Sequence, residues 1–361
     1  MSVVAAVKKQ DAAALAREVA KHRGPIPAAA VVTAAQLAWK PGLTLLVKHD
    51  ADLNASYRNY RPLHALIQEK PHAGGSSTRA RVKCLEWLLA HGADPEQAAA
   101  WPSARALVIA AFVGERAYVD VLRAAGAKID VFTAAALGEA KTVARLVAKD
   151  PPLAQARDAE RLTALQCCAG SRLGVTDKRT AARLVEIART LVEAGADVNV
   201  RTPSWGHDVN VSYFVIRSGQ VEVLEYLLDH GLDATAAIGT AAWDGRADLL
   251  DLLIARGARL NDALEQTRPM LNELVRWGRF KQARLLLTRG ASPNIPDERG
   301  WTAIHQAASR GNVKMMEDLL AAGGDITRRD GSGHTPLDIA KGKAILRLIK
   351  QLRGQTGLTP V

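Results

Sequence analysis

Three sets of residues in this chain are of kinds that do chemistry. Cys167-Cys168 is a pair of adjacent thiols, nine histidines are spread along the sequence, and Gly331–Thr335 reads GSGHT. Thiols and imidazoles at ligand spacing hold zinc, a Cys or Ser beside a His makes a nucleophile, and a glycine-rich loop cradles phosphate. The spacings that those reactions need are missing. GSGHT lacks the Gly-Lys-Ser/Thr ending of a phosphate loop. There is no HExxH and no paired CxxC, and Cys167-Cys168 has no partners at ligand spacing. Nothing arranges a nucleophile, a base and an orienting acid as a triad. The expectation is no catalytic residue, no metal and no cofactor. His49, His91 and His230 each close a helical stretch, where an imidazole meets the negative end of the helix. His207 stands apart in the stretch Val200–Asn210, beside Trp205 and Asp208, and Trp205 and His207 are candidates for a partner contact.

The elements that carry these residues recur. Asp297 returns at Asp330, Gly300 at Gly333, Thr302 at Thr335 and Ile304 at Leu337, each 33 residues on, and Gly245, Gly278 and Gly311 keep the same step. Within one period Thr302 is placed to cap a first helix. Ile304, Ala307 and Ala308 share a face of that helix, and Gly311 takes the left-handed joint. Met315, Met316, Leu319 and Leu320 form the apolar stripe of a second helix. One such pair cannot bury its apolar face alone, so copies must stack. Similar pairs run back to the N-terminus. Two of them carry extra residues between their helices, Lys70–Arg81 and Ser171–Thr180, which read as basic loops open to partner contact or to mere decoration. Gly219 to Gly245 is shortened to 26 residues, so the projecting turn there is predicted to be missing or tight.

This unit resembles the ankyrin repeat. Thr302-Ala303-Ile304-His305 stands where that family has T-P-L-H, Ala307-Ala308 where it has A-A, and Leu319-Leu320 with Gly323-Gly324-Asp325 where it has L-L-x-x-G-A-D. The resemblance implies an all-α solenoid of about ten helix-turn-helix units with degenerate terminal caps. Residues 1–361 would form one such solenoid, with degenerate repeats over 1–54, repeats over 55–330 carrying inserts at 70–81 and 171–180, and a C-terminal cap over 331–355. It implies structural roles for His64 and His305 at the H of the motif, and a small buried position for Cys168. The Ala/Arg-rich composition with degenerate repeats resembles bacterial ankyrin proteins. In this family partners bind hairpin tips and inner helices. Carried over by the 33-residue pattern, the tips are Tyr57, Arg58 and Tyr60, then Glu298, Arg299 and Trp301, then Ser332 and His334. The ends of the inner helices are Arg217 and Ser218, Trp243 and Asp244, Arg276 and Trp277, then Ser309 and Arg310. Arg, Trp and Tyr are typical interface anchors, because they bury large area and bond at the edge; packing of Trp243 on Trp277 is the competing reading.

Aromatics make up only 4% of the chain, which suits thin Ala/Leu layers better than one large core. The formal net charge is +11, and residues 1–180 hold 25 Lys+Arg against 16 Asp+Glu. That excess favours an acidic partner surface or a polyanion. Three cysteines make no disulfide framework, so a reducing, cytoplasmic setting is expected, with export to a host left open. The N-terminus does not read as a signal peptide, and the longest weakly apolar run, Ala28 to Trp39, is too short to cross a bilayer. The expected function is a non-catalytic protein–protein interaction scaffold, monomeric, with no membrane partner. Its alternative is a polyanion-binding or nucleic-acid-associated module using the basic N-terminal half.

Overall fold

The computed structural model describes residues 1–68, 77–100, 102–204, 207–262, 268–343 and 347, the side chains of Ser204 and His207 excepted. Among them are twenty α-helices, which follow one another as ten antiparallel pairs. The chain divides into two compact units, Met1–Gly231 and Leu232–Val361.

In the first unit the leading helix of each pair packs on the next leading helix. These are α1 (Val3–Lys8), α3 (Ala28–Gln36), α5 (Pro62–Gln68), α7 (Ala106–Val113), α9 (Val131–Leu137), α11 (Ala164–Gly170) and α13 (Val211–Ser218). Those between α1 and α13 are covered on two sides by neighbours and on a third by their own partners, so they are apolar nearly all round. α9, VFTAAAL, is buried at every residue. The trailing helices are α2 (Ala12–Lys21), α4 (Lys40–Val47), α6 (Thr78–Ala90), α8 (Arg116–Ala124), α10 (Ala140–Lys149), α12 (Lys178–Glu193) and α14 (Val221–Asp229). They are amphipathic; α10 buries only Ala140, Val143 and Val147, at helical spacing.

The second unit repeats the plan with α15 (Ala234–Asp244), α16 (Ala247–Ala255), α17 (Met270–Arg276), α18 (Phe280–Leu287), α19 (Ala303–Arg310) and α20 (Val313–Ala321). Thr302 and His305 form the capping box of α19, and Gly311 ends it at φ +69°. α14 ends at Asp229 and α15 starts at Ala234, so the shortened period has no projecting turn. Part of the expected C-terminal cap, 331–355, lies outside the described residues. The part that is described closes the stack through Lys341 N–H, which donates to Ala308 O at 3.0 Å.

Three segments differ from the expectation. Val200–Asn210 is not an open connector. Arg201–Ser204 (β1) pairs antiparallel with His207–Asn210 (β2), a two-stranded sheet among described residues that are otherwise mostly helical. Of the 70–81 insert, residues 77–81 are described. Thr78 to Arg81 form the first turn of α6, and Arg81 is only 2% exposed. Its guanidinium donates to Gln36 O at 3.0 Å and to Leu66 O, and bonds the Tyr118 side chain. A cation thus closes the carbonyl ends of α3 and α5, where helix dipoles favour positive charge. Nor is Ser171–Thr180 a free basic loop. Ser171 and Leu173 are buried, Arg172 N–H donates to Ala111 O at 2.9 Å, and Gln220 Nε2 donates to Ser171 O at 2.8 Å. The segment braces its own repeat against those of α7 and α14, and its end forms the first turn of α12.

Candidate partner-binding surface

Between α4 and α5 the chain turns at Tyr57–Tyr60. Tyr57 and Tyr60 exchange two backbone hydrogen bonds of 2.9 and 3.0 Å, and Arg58 and Asn59 both hold positive φ, +50° and +63°. This is the two-residue hairpin whose twist matches its flanks. Left-handed backbone is unfavourable for Arg, so the geometry is held from outside. Asn59 Nδ2 donates to Ala100 O at 2.7 Å, and Ala100 N–H donates back to Asn59 O at 2.7 Å. The Arg58 guanidinium lies 5.3 Å from the centre of the Tyr57 ring, which is 38% exposed.

That hairpin walls a cleft of about 470 Å³ on the leading-helix face. Its floor is Val4 of α1, Ala29 and Val32 of α3, and Ala65 of α5. Small side chains let a ligand backbone approach the helices closely. Thr33, Gln36 and Gln68 give it polar edges, and Lys8 stands with Arg58 as the cations of the lining. All three predicted tip residues, Tyr57, Arg58 and Tyr60, therefore converge on one concavity. Lys8 and Gln36 were not singled out from sequence. They occupy the same register, the end of a leading helix, that marks Arg217 and Arg276, but in the repeats where the motif has decayed.

The remaining predicted residues are more engaged. Arg217 stacks on Tyr213 at 5.3 Å and donates to its hydroxyl at 2.7 Å. Trp205 and the side chain of His207 lie outside the described residues. In the second unit Trp243 and Trp277 each have a different arginine over the ring. Arg279 covers Trp243 at 4.3 Å, and Arg276 lies 5.7 Å from Trp277, which is 61% exposed and donates to Glu273 Oε2 at 3.1 Å. Asp244 ends α15 beside them. Arg310 donates to Arg276 O at 2.7 Å, so it closes the end of α17. Trp301 donates to Asp330 Oδ2 at 2.9 Å, with Arg299 4.6 Å above its ring and paired to Asp297. It ties its hairpin to the next one, as well as standing at the predicted tip. Glu298 is exposed at that hairpin's tip.

The histidines hold structure. His64 Nε2 meets Ala104 O at 2.9 Å, one repeat away, and burial pushes its pKa down to about 4, with the charge of Arg61 acting in the same direction. His305 makes the same kind of bridge to His334 O at 3.3 Å. Burial lowers its pKa too, but Asp330 and Asp297 oppose the shift. His91 and His230 stack on Trp87 and Tyr226 one turn earlier, and each ring nitrogen approaches that residue's carbonyl. Cys84, Cys167 and Cys168 are buried free thiols, and burial raises the pKa of each. Among the described residues no group of three or more His, Cys, Asp or Glu could hold a metal ion, and no helix is long and apolar enough to cross a membrane.

One family model agrees with the repeat reading over part of the chain. Residues 286–340 match the sequence model of ankyrin repeats in many copies. The crystal structure of the human ASB11 ankyrin repeat domain aligns with 65% of this chain and 100% of its own, at 24% identity and a TM-score of 0.47. No curated protein sequence matches the chain. Ankyrin repeats are generally protein–protein interaction modules, and typically do not catalyse reactions. Over residues 286–340 the chain is thus similar to ankyrin repeats, and the histidine bridge seen there at His305 recurs at His64, outside the matched residues.

Proposed function

We propose that the protein is a non-catalytic scaffold that docks a partner protein on its leading-helix and hairpin surface, with the Tyr57–Tyr60 cleft as the principal site. The observation that supports this most is the cleft itself. It offers an exposed Tyr57, a stacked Arg58 and a floor of small apolar side chains within one concavity. Pockets of this size, with apolar floors and placed polar groups, are where proteins hold ligands. Tyr and Arg are the residues on which binding energy concentrates. In the second unit Trp277, Arg276 and Trp243 give a smaller, more exposed set of anchors. Three buried thiols suit a reducing compartment such as the cytoplasm, and the chain is read as a monomer.

Affinity purification with quantitative mass spectrometry tests the reading, run in parallel on wild type, Tyr57→Ala/Arg58→Ala and Trp277→Ala. Proteins retained by wild type and lost by the first variant are the expected result. A retained set that is identical for all three removes this surface.

A further inference from the structure

The lining of the cleft has a one-sided charge. Lys8 and Arg58 stand on it, and no carboxylate does among its described residues. The leading helices beneath contribute none either: α3 reads AAAVVTAAQ and α5 reads PLHALIQ. The rest of the lining is neutral. It is apolar at Val4, Ala29, Val32 and Ala65, hydroxylic or amide at Thr33, Gln36 and Gln68, and aromatic at Tyr57 and Tyr60. Resting on the docking reading above, we infer that this cleft takes a short acidic peptide segment of the partner, with carboxylates toward Lys8 and Arg58 and small aliphatic side chains on α3 and α5.

The geometry of Arg58 supports that choice. Its backbone is fixed in the hairpin turn by the Asn59–Ala100 bonds, and its guanidinium is stacked on Tyr57. A stacked guanidinium keeps its edge donors for a carboxylate, and a fixed one loses little freedom on binding. Lys8, at the end of α1, adds a point charge on the α1 side. A polyanion chain is a poorer fit, because phosphates in series need a row of cations, and the floor between these two is apolar and neutral. A helix of peptide is not required, since alanines at the floor let an extended backbone lie close.

The test uses the full chain and a phage-displayed library of random twelve-residue peptides, with selected peptides synthesised and their affinities read by fluorescence anisotropy. Two folded variants accompany wild type, each checked by circular dichroism: Lys8→Glu/Arg58→Glu, which reverses the charge, and Ala29→Phe, which fills the cleft without changing charge. Wild type is expected to select peptides rich in Asp and Glu, the reversal to weaken them by about tenfold or more, and the plug to weaken them as well. Selected peptides with no acidic excess, or affinities within about twofold of wild type on reversal, overturn the acidic selectivity. If the plug weakens binding and the reversal does not, docking stands and the charge inference falls. If neither weakens it, or wild type selects no peptide, the docking reading at this cleft falls too.

Discussion

The hairpins at Tyr57–Tyr60 and Asp297–Trp301 occupy equivalent places in the repeat and spend their aromatic residues differently. In the second, Asp297 accepts the backbone N–H of Arg299 and of Trp301, and Trp301 reaches across to Asp330 of the following hairpin. The ring is half-buried and the carboxylates are committed. In the first there is no aspartate hub. Two residues in left-handed backbone make the turn, Asn59 with Arg61 beside it ties it to the next hairpin, and Tyr57 and Arg58 face a cleft. The difference teaches how to tell an anchor from a strut. An aromatic at a repeat tip is available for recognition only where another residue already carries the bond to the neighbouring repeat.

The histidines behind the two hairpins sharpen the contrast and give the largest expected effect. His64 lies near Arg61 and is neutral in the folded chain, with its pKa down at about 4. The unfolded chain takes up that proton from about pH 6.5 downward. Stability from this group is therefore full above pH 6.5 and is lost as pH falls toward 4, by on the order of 3 kcal/mol. Urea unfolding at a series of pH values should show that slope, and His64→Gln should flatten it. An equal flattening by His305→Gln would break the comparison, because Asp297 and Asp330 pull the pKa of His305 back up.

Next in size are the rings themselves. Trp301→Ala removes a half-buried indole and its bond to Asp330, and should cost about 2–3 kcal/mol. Tyr57→Ala should cost less than about 1 kcal/mol. Urea midpoints at constant m-value measure both. A third hairpin, at Asp158, has Arg161 where Asp297's hairpin has Gly300, at φ +68°. Arg161→Gly should raise stability by about 0.5–1 kcal/mol, since only glycine adopts that backbone without strain. The smallest effect is on salt. An acidic peptide held by Lys8 and Arg58 should lose affinity gently between 50 and 200 mM salt, whereas a polyanion held by six or more cations would lose about a thousandfold.

Much of this fold could be read from the spacing of Asp, Gly, Thr and His residues. A 33-residue period with capping residues and apolar stripes already dictates paired helices that must stack, and the structure has ten such pairs among the described residues. The site was partly legible. Tyr57, Arg58 and Tyr60 follow from the period, and they do converge. Lys8 and Gln36 lay in repeats whose motif has decayed, though the register at helix ends reaches them. The intramolecular bonds of Arg81, Trp301 and Arg310 were not legible for one physical reason: their partners lie 15 to 45 residues away, in the same or a neighbouring repeat. An arginine on a helix looks solvated until the carbonyls it closes are brought beside it. Val200–Asn210 was hidden differently. A Pro, a Gly and six polar residues resemble a loop, and only the pairing of Arg201 with Asn210 makes them a hairpin.

Site-specific photo-crosslinking in cells tests the central claim most directly. A benzophenone amino acid replaces Arg58 at the cleft, Glu298 at the second hairpin's tip, or Lys83 on the exposed side of α6. A discrete protein adduct from position 58, absent from position 83 and much weaker from 298, is the predicted result. Adducts of equal yield from all three positions, or from 83 alone, would contradict the assignment of the Tyr57–Tyr60 cleft as the place where the partner binds.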